Sequence, residues 1–331
     1  LLMQTLYLKH PRRWPVLGEP EVFDTLTRED VLEYHASRYV PNNVVLSIAG
    51  DVDAREVLSH LELLVEDLKA RPLNREPLPH EPHQFGSRTV RKEFAVPYSK
   101  LSLAWRLPCS AHPDTPALSA LASILGGGRS ARFYEKFHDR LGMVYSIEVH
   151  SNQSESDEGA FTITMDVDRA QRDKVRDLIL QELRNLERED FTEDLKRVCK
   201  QTRVSRLRRK SSASGMASEM GADWFGARNL NLSSEWQEAI ERVTSEDLHR
   251  VCAGWLSSPN VTEVSLDPLG SNAEEVPAGS EETDAVLSEL VLPNGLKVVV
   301  REDHRLPLAY ACLVFKAGCP AENERNAGVT D

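Results

Sequence analysis

The sequence predicts an α+β protein of repeated two-layer domains, each an antiparallel sheet covered by helices. Three observations carry that expectation. First, Thr27-Arg-Glu-Asp-Val-Leu leading to Pro41-Asn-Asn-Val-Val is echoed 217 positions later by Thr244-Ser-Glu-Asp-Leu-His leading to Ser258-Pro-Asn-Val-Thr. Each copy opens on Thr-x-x-Asp, in which the hydroxyl accepts a helix N–H that has no partner in the helix. Each closes on Pro-Asn before a β-branched run, because proline ends a helix. A spacing this long belongs to a domain and not to a solenoid unit. Second, strand-like and helix-like segments are grouped instead of alternating, which excludes a doubly wound βαβ chain. Third, Tyr145, Ile147 and Val149 alternate with Ser146, Glu148 and His150, and Phe161, Ile163, Met165 and Val167 alternate with Thr162, Thr164 and Asp166. A period of two suits a sheet with one covered face.

Taken in order, residues 1–72 are expected to form the C-terminal part of a first domain. It has a capped helix over 27–38, a strand Val44-Val-Leu-Ser-Ile-Ala, and a helix over 53–68. Residues 73–87 are Pro- and His-rich and read as an extended linker. The second domain spans 88–268. Strands are expected over 88–95 and 100–107, followed by a helix after Asp114 whose apolar face is Leu118, Leu121, Ala122 and Leu125. Gly126-Gly127-Gly128 ends that helix, and a short helix over 130–140 leads to the two alternating strands. Asn152 to Glu158 makes the polar turn between them. Long helices over 169–187 and 192–227 follow, then the repeated capped helix over 244–256. A second linker occupies 269–285. A third domain begins at 286, where Asn294-Gly295 between apolar runs signals a hairpin. The chain opens on the helix-like Leu-Leu-Met-Gln-Thr-Leu and closes soon after a new β unit begins, so both ends are expected to fall within domains.

A length of 331 accommodates two domains with parts of others. The net charge of −12 argues against a general nucleic-acid binder. No apolar run approaches the roughly 18 residues a membrane-spanning helix needs. The five cysteines, Cys109, Cys199, Cys252, Cys312 and Cys319, form no Cys-x-x-Cys pair, and they read as free thiols that are buried.

Several motifs invite a chemical reading and do not sustain it. Gly126-Gly127-Gly128-Arg129 follows a helix and lacks the Lys-Ser/Thr of a phosphate loop, so it reads as a turn. His80-Glu-Pro-His83 has metal-ligand residue types but neither a rigid scaffold nor a further partner. His10 and His112 sit beside prolines with no partner visible in the sequence. The basic run Lys200 to Lys210 places Arg203, Arg206 and Lys210 on one helix face, which reads as solvated or as facing an acidic neighbour. No aromatic residue interrupts the run to stack on bases. No Gly-x-Ser-x-Gly elbow is present, and no cysteine has an activating context in sequence.

Three groups of residues resemble the pitrilysin/insulinase-type zinc peptidases, the family that includes mitochondrial processing peptidases. The first group is His10-Pro, Gly18, Leu26-Thr-Arg-Glu-Asp, Tyr39-Val-Pro-Asn-Asn and Gly50-Asp-Val-Asp. The second is Leu125-Gly-Gly-Gly-Arg-Ser-Ala-Arg-Phe-Tyr with Leu141-Gly-Met-Val-Tyr-Ser. The third is Leu292-Pro-Asn-Gly-Leu, Ala317-Gly and Glu322 to Gly328. The resemblance implies the metallohydrolase fold of that family, in which related α+β domains form two halves around a chamber for an extended or unfolded peptide. It also implies zinc held by an inverted His-x-x-Glu-His and a distant Glu, with the motif's Glu as general base.

This chain has no His-x-x-Glu-His. In the family the ligands precede the segment matched by Leu1, so zinc is expected in the parent protein and not on this chain. Where a later domain places its first ligand, Gly328-Val-Thr is followed by Asp331, so the third domain reads as degenerate. The family's substrate-contacting Arg and Tyr, seven residues apart, match His138 and Tyr145. The Tyr is kept and the Arg is replaced. The resemblance therefore names His138, Tyr145 and the chamber-bordering Gly126, Gly127 and Gly128 as candidate substrate contacts, with no catalytic residue and no metal ligand. The expected partners are an unfolded or extended peptide and the remaining domains of the parent. The alternative is a non-catalytic relative that binds peptides or serves as a scaffold subunit. The two helix–turn–strand units at 27–48 and 244–266 are expected to share a fold.

Overall fold

The computed structural model describes residues 1–73, 77–153, 158–256, 259–270 and 287–301. The chain divides into two compact units, one of Leu1–Phe94 with Tyr98–Ser271, the other of Ala95–Pro97 with Asn272–Asp331. The motif residues 317–331, Cys312, Cys319 and most of the linker at 269–285 lie outside the described residues.

Ten helices are described in the first unit. They are α1 (Leu2–Leu6), α2 (Pro20–Phe23), α3 (Arg28–Arg38), α4 (Ala54–Val65), α5 (Thr115–Gly126), α6 (Arg172–Asn185), α7 (Thr192–Lys210), α8 (Ala213–Ala227), α9 (Leu232–Glu241) and α10 (Ser245–Val251). Its strands are β1 (Arg88–Phe94), β2 (Ser99–Leu107), β3 (Val144–Asn152), β4 (Gly159–Val167) and β5 (Thr262–Pro268). They form one sheet in the order β1-β5-β2-β4-β3. The expected antiparallel sheet is therefore mixed. β5 enters between β1 and β2, parallel to the first and antiparallel to the second. The long helical excursion between β4 and β5 frees β5 from the hairpin geometry that would force antiparallel pairing on both sides.

The inner sheet face carries Leu101, Leu103, Trp105, Phe161 and Ile163, all at 0–1% exposure. These pack in one core with Leu118, Leu121 and Leu125 of α5, Val175, Ile179 and Leu183 of α6, and Leu248 and Val251 of α10. The opposite face is covered only in part. Leu6 and Tyr7, at the end of α1, bury Ala104 and Ala160. The Tyr7 hydroxyl donates to the carbonyl of Gly159 at 2.9 Å.

A buried ion pair ties helix to sheet. Arg172 and Asp267, both 1% exposed, meet through the guanidinium Nη1 and carboxylate Oδ2. Ser99 and Ser265 each donate to Asp267 Oδ1, at 2.6 and 2.7 Å. With its lone pairs satisfied this way the pair is tolerable in the interior, and losing one partner would cost about 3–5 kcal/mol.

Both predicted capping boxes form. Thr27 Oγ1 accepts from the Asp30 N–H and Thr244 Oγ1 from the Asp247 N–H, each at 3.2 Å. The downstream segments differ. β5 is paired on both sides, whereas 44–49, expected as a strand, belongs to no ladder among the described residues. A strand requires a hydrogen-bonding neighbour, and here Val44, Leu46 and Ile48 stay 41–63% exposed. No residue of α2, α3 or α4 is buried.

Three other expectations shift. The helix predicted over 192–227 is two helices, because Ser212 leaves helical geometry and its hydroxyl caps α8 through the Gly215 N–H. The short helix over 130–140 is a π-helical turn at Tyr134–Arg140. The capped helix over 244–256 ends at Val251 and continues as π-helix through Leu256.

In the second unit, β6 (Leu287–Val291) and β7 (Lys297–Arg301) pair as an antiparallel hairpin. The turn that Asn294-Gly295 signals is present, with Gly295 at φ +85°. It is longer than two residues, since Leu292 to Leu296 separate the strands.

Candidate functional site

The uncovered part of the outer sheet face is polar. Lys100, Ser102, Ser146, Glu148, Thr164 and Asp166 line a shallow depression of about 370 Å³ there. The register explains the grouping, because Asp166 of β4 pairs with Lys100 of β2 and Ser146 of β3, and Thr164 pairs with Ser102 and Glu148. Lys100 Nζ donates to Asp166 Oδ1 at 3.0 Å, and Ser146 Oγ to Asp166 Oδ2 at 3.1 Å. These groups offer hydrogen-bond donors and acceptors across three strands but no nucleophile–base pair.

Tyr145 stands at the end of this face for a reason the alternation did not reveal. The β3–β4 register slips between Val144 and Ser146, so Tyr145 is the extra residue of a β-bulge. A bulge re-aims a side chain and resets the inward–outward order. Val144, Ile147 and Val149 are buried, while Tyr145 is 52% exposed. The expectation that Tyr145 shares a face with Ile147 and Val149 is thereby corrected. Its ring leans on Tyr98, with centroids 4.1 Å apart. Tyr98 immediately precedes β2, and both β2 and β3 begin opposite Val167.

His138 lies on the π-helical turn. Its ring stacks on Tyr134, with centroids 4.4 Å apart, and its Nδ1 lies 2.7 Å from Asp139 Oδ1. His138 and Tyr145 thus belong to different ring pairs.

The three glycines have distinct tasks. Gly126 lets α5 touch β3, because a Cβ there would fall 2.4 Å from the Val149 nitrogen. Gly127 caps α5, its N–H donating to the Ser123 carbonyl at 2.9 Å. Gly128 has φ +101°, where side chains are strained.

Among the described residues no three His, Cys, Asp or Glu side chains are grouped as a metal ion would require. The His80-Glu-Pro-His83 stretch shows why it does not fit zinc. Glu81 is buried, and both its oxygens are taken by the backbone N–H groups of Leu8, Lys9 and His10 at 2.6, 2.8 and 2.9 Å. Burial would raise the pKa of Glu81, but those three donors and the nearby Arg106 lower it overall.

The basic run is largely committed to neighbours. Arg203 meets Glu241 of α9, and Arg206 and Lys210 meet Glu219 of α8. Cys252 is buried, and Cys109 and Cys199 are partly exposed free thiols. Burial pushes the Cys199 thiol above its ordinary pKa, which keeps it unreactive.

Sequence reasoning did not single out Tyr98 or a cavity on the helical side. That cavity, about 600 Å³, is assembled from α5, the end of β3, α7, α8 and α9. Its walls lie too far apart in sequence for any spacing rule to join them.

The fold agrees with that of other solved chains. The family model described as "Peptidase M16 inactive domain" matches residues 25–201. A Helicobacter pylori protein named "Zinc protease PqqE" is 25% identical over 271 residues, which is 80% of this chain and 60% of that protein. An "Uncharacterized zinc protease YmxG" of Bacillus subtilis is 23% identical over 255 residues, 76% of this chain and 60% of the relative. This chain therefore spans about 60% of the length of these relatives. Two crystal structures share the fold with a TM-score of 0.71 each. One is a protease from Helicobacter pylori, at 24% identity over 81% of this chain and 65% of that one. The other is a peptidase M16 inactive domain from Pseudomonas fluorescens, at 20% identity over 81% and 64%.

Proposed function

Because this chain belongs to the peptidase M16 family, whose inactive-domain model matches it, we propose that it is part of a zinc-dependent metalloendopeptidase acting on extended or unfolded peptides. In this reading the chain supplies chamber wall and substrate contacts, and the zinc ligands reside elsewhere in the parent. The observation that carries the reading is the family match together with zinc-protease relatives aligned over most of the chain. The outer sheet face supports it. A row of donors and acceptors across three strands, with an exposed tyrosine at one end, suits a peptide held by many weak polar contacts. His138, with Gly126, Gly127 and Gly128, borders the same chamber in this proposal.

The test is metal analysis and peptide hydrolysis on two proteins, this chain alone and its parent. The chain alone is expected to bind a labelled unfolded peptide without cleaving it and to lose zinc on dialysis. The parent is expected to cleave, and to stop cleaving when a chelator removes its metal. One zinc per chain retained here after dialysis would overturn the assignment. A parent that binds peptide but never cleaves it would move the protein to a peptide-binding or scaffold role.

A further inference from the structure

We propose that the cavity between α5, α7, α8, α9 and the end of β3 binds the C-terminal carboxylate of a peptide whose last side chain is apolar. This rests on the peptide-binding reading above and adds a polarity to it. The cavity volume, about 600 Å³, is in the range of sites that accept one or two residues. Two guanidinium groups, Arg206 and Arg209, line it, and no aspartate or glutamate does so among the described residues. Arg206 is already engaged with Glu219, which it shares with Lys210. Its Nη2 lies 3.1 Å from Glu219 Oε1, and its Nη1 donates to Gln237 at 3.3 Å. Arg209 is exposed and makes no ion pair among the described residues.

That leaves Arg209 as the lining cation with no ion pair among the described residues. A carboxylate matches it one for one and fits the planar fork of a guanidinium. Two further donors stand in the same wall. Ser151 Oγ and Gln153 Nε2 are buried and have no hydrogen-bond partner among the described residues. A buried donor without a partner is costly, and an arriving acceptor relieves it. Leu232 and Trp236 supply an apolar wall for the terminal side chain.

The experiment measures binding of a fluorescein-labelled octapeptide ending in Phe, prepared as the free acid and as the C-terminal amide, by anisotropy at low salt. The acid is expected to bind about tenfold more tightly than the amide, as loss of a charge-assisted contact predicts. Arg209→Gln should abolish that difference. Arg208→Gln, an exposed neighbour outside the lining, should preserve it. Equal affinity of acid and amide would overturn the carboxylate anchor while leaving peptide binding intact. N-acetylphenylalanine binding as tightly as the octapeptide would overturn it too, because the site would then serve a small free acid. Failure of both peptides to bind would overturn this inference and the peptide-binding reading together.

Discussion

Tyr98 and Tyr145 lie with ring centroids 4.1 Å apart, tilted by 35°, because a bulge adds one residue to β3 just where β2 begins. The pair places an aromatic surface at the end of the polar sheet face. Tyr145 is outside the regular pairing and half-exposed, so its side chain contributes little to the core. Tyr145→Ala is expected to weaken binding of an unfolded peptide roughly three- to tenfold, the scale of one aromatic contact. The melting temperature should stay nearly unchanged. Tyr145→Phe should bind almost as the parent does. An alanine variant with undiminished affinity would remove Tyr145 from the contact surface.

Gly126 and Gly128 are two residues apart in sequence yet constrained by different physics. At Gly126 the obstacle is contact, since an added Cβ meets the Val149 backbone and side chain within 2.7 Å. At Gly128 nothing lies within 4 Å and the obstacle is the backbone angle alone. Gly126→Ala is expected to cost about 1–3 kcal/mol in urea unfolding, as overpacking does. It should also move the Val149 amide resonance. Gly128→Ala should destabilise by roughly 1 kcal/mol and leave that resonance in place. A Gly126→Ala protein as stable as the parent would contradict the close approach of α5 to β3.

Asp114 supplies an acid-sensitive link between the start of α5 and the end of the helical layer. Its carboxylate accepts from the Trp255 indole N–H at 2.9 Å and pairs with Arg250. Burial acts to raise its pKa, but the hydrogen bonds from Trp255 and Arg250 and the Arg250 charge prevail and lower it below the ordinary 3.8. The folded state therefore binds this proton less readily than the unfolded chain does. The stabilisation is fully present above pH 3.8 and disappears as pH falls through the lower folded value. Trp255 fluorescence in Asp114→Asn should lose the part of the acid transition that the parent shows below pH 3.8. An unchanged transition would assign the acid sensitivity to other carboxylates.

Local rules read much of this chain correctly where the cause is local. The capping boxes at Thr27 and Thr244 involve residues three apart, and both form. The α5 face of Leu118, Leu121, Ala122 and Leu125 is buried as its spacing predicts. The failures have non-local causes. The bulge at Tyr145 depends on how β3 meets β4. The parallel β1–β5 pair joins residues more than 170 positions apart, beginning with Arg88 and Thr262. Segment 44–49 has strand-forming composition but no neighbour to pair with among the described residues. The break at Ser212 is visible in retrospect, since Ser211-Ser212 interrupts the helix formers with a good cap. Tyr145 was singled out by the family resemblance, but its exposure and its ring contact with Tyr98 were not legible in the alternation.

The Glu81 carboxylate gripping Leu8, Lys9 and His10 works as a clasp across a 70-residue span of chain. Both feet of the intervening α2–α4 segment are thereby fastened beside the sheet, while the segment itself buries none of those helices' residues. Its loop is closed without a covalent crosslink. Most of the closure entropy falls on folding of the sheet layer, since lengthening or shortening such a loop changes that cost only logarithmically. The two ends of the segment are thus held together by three hydrogen bonds to one carboxylate, a non-covalent counterpart of a disulfide-locked stem.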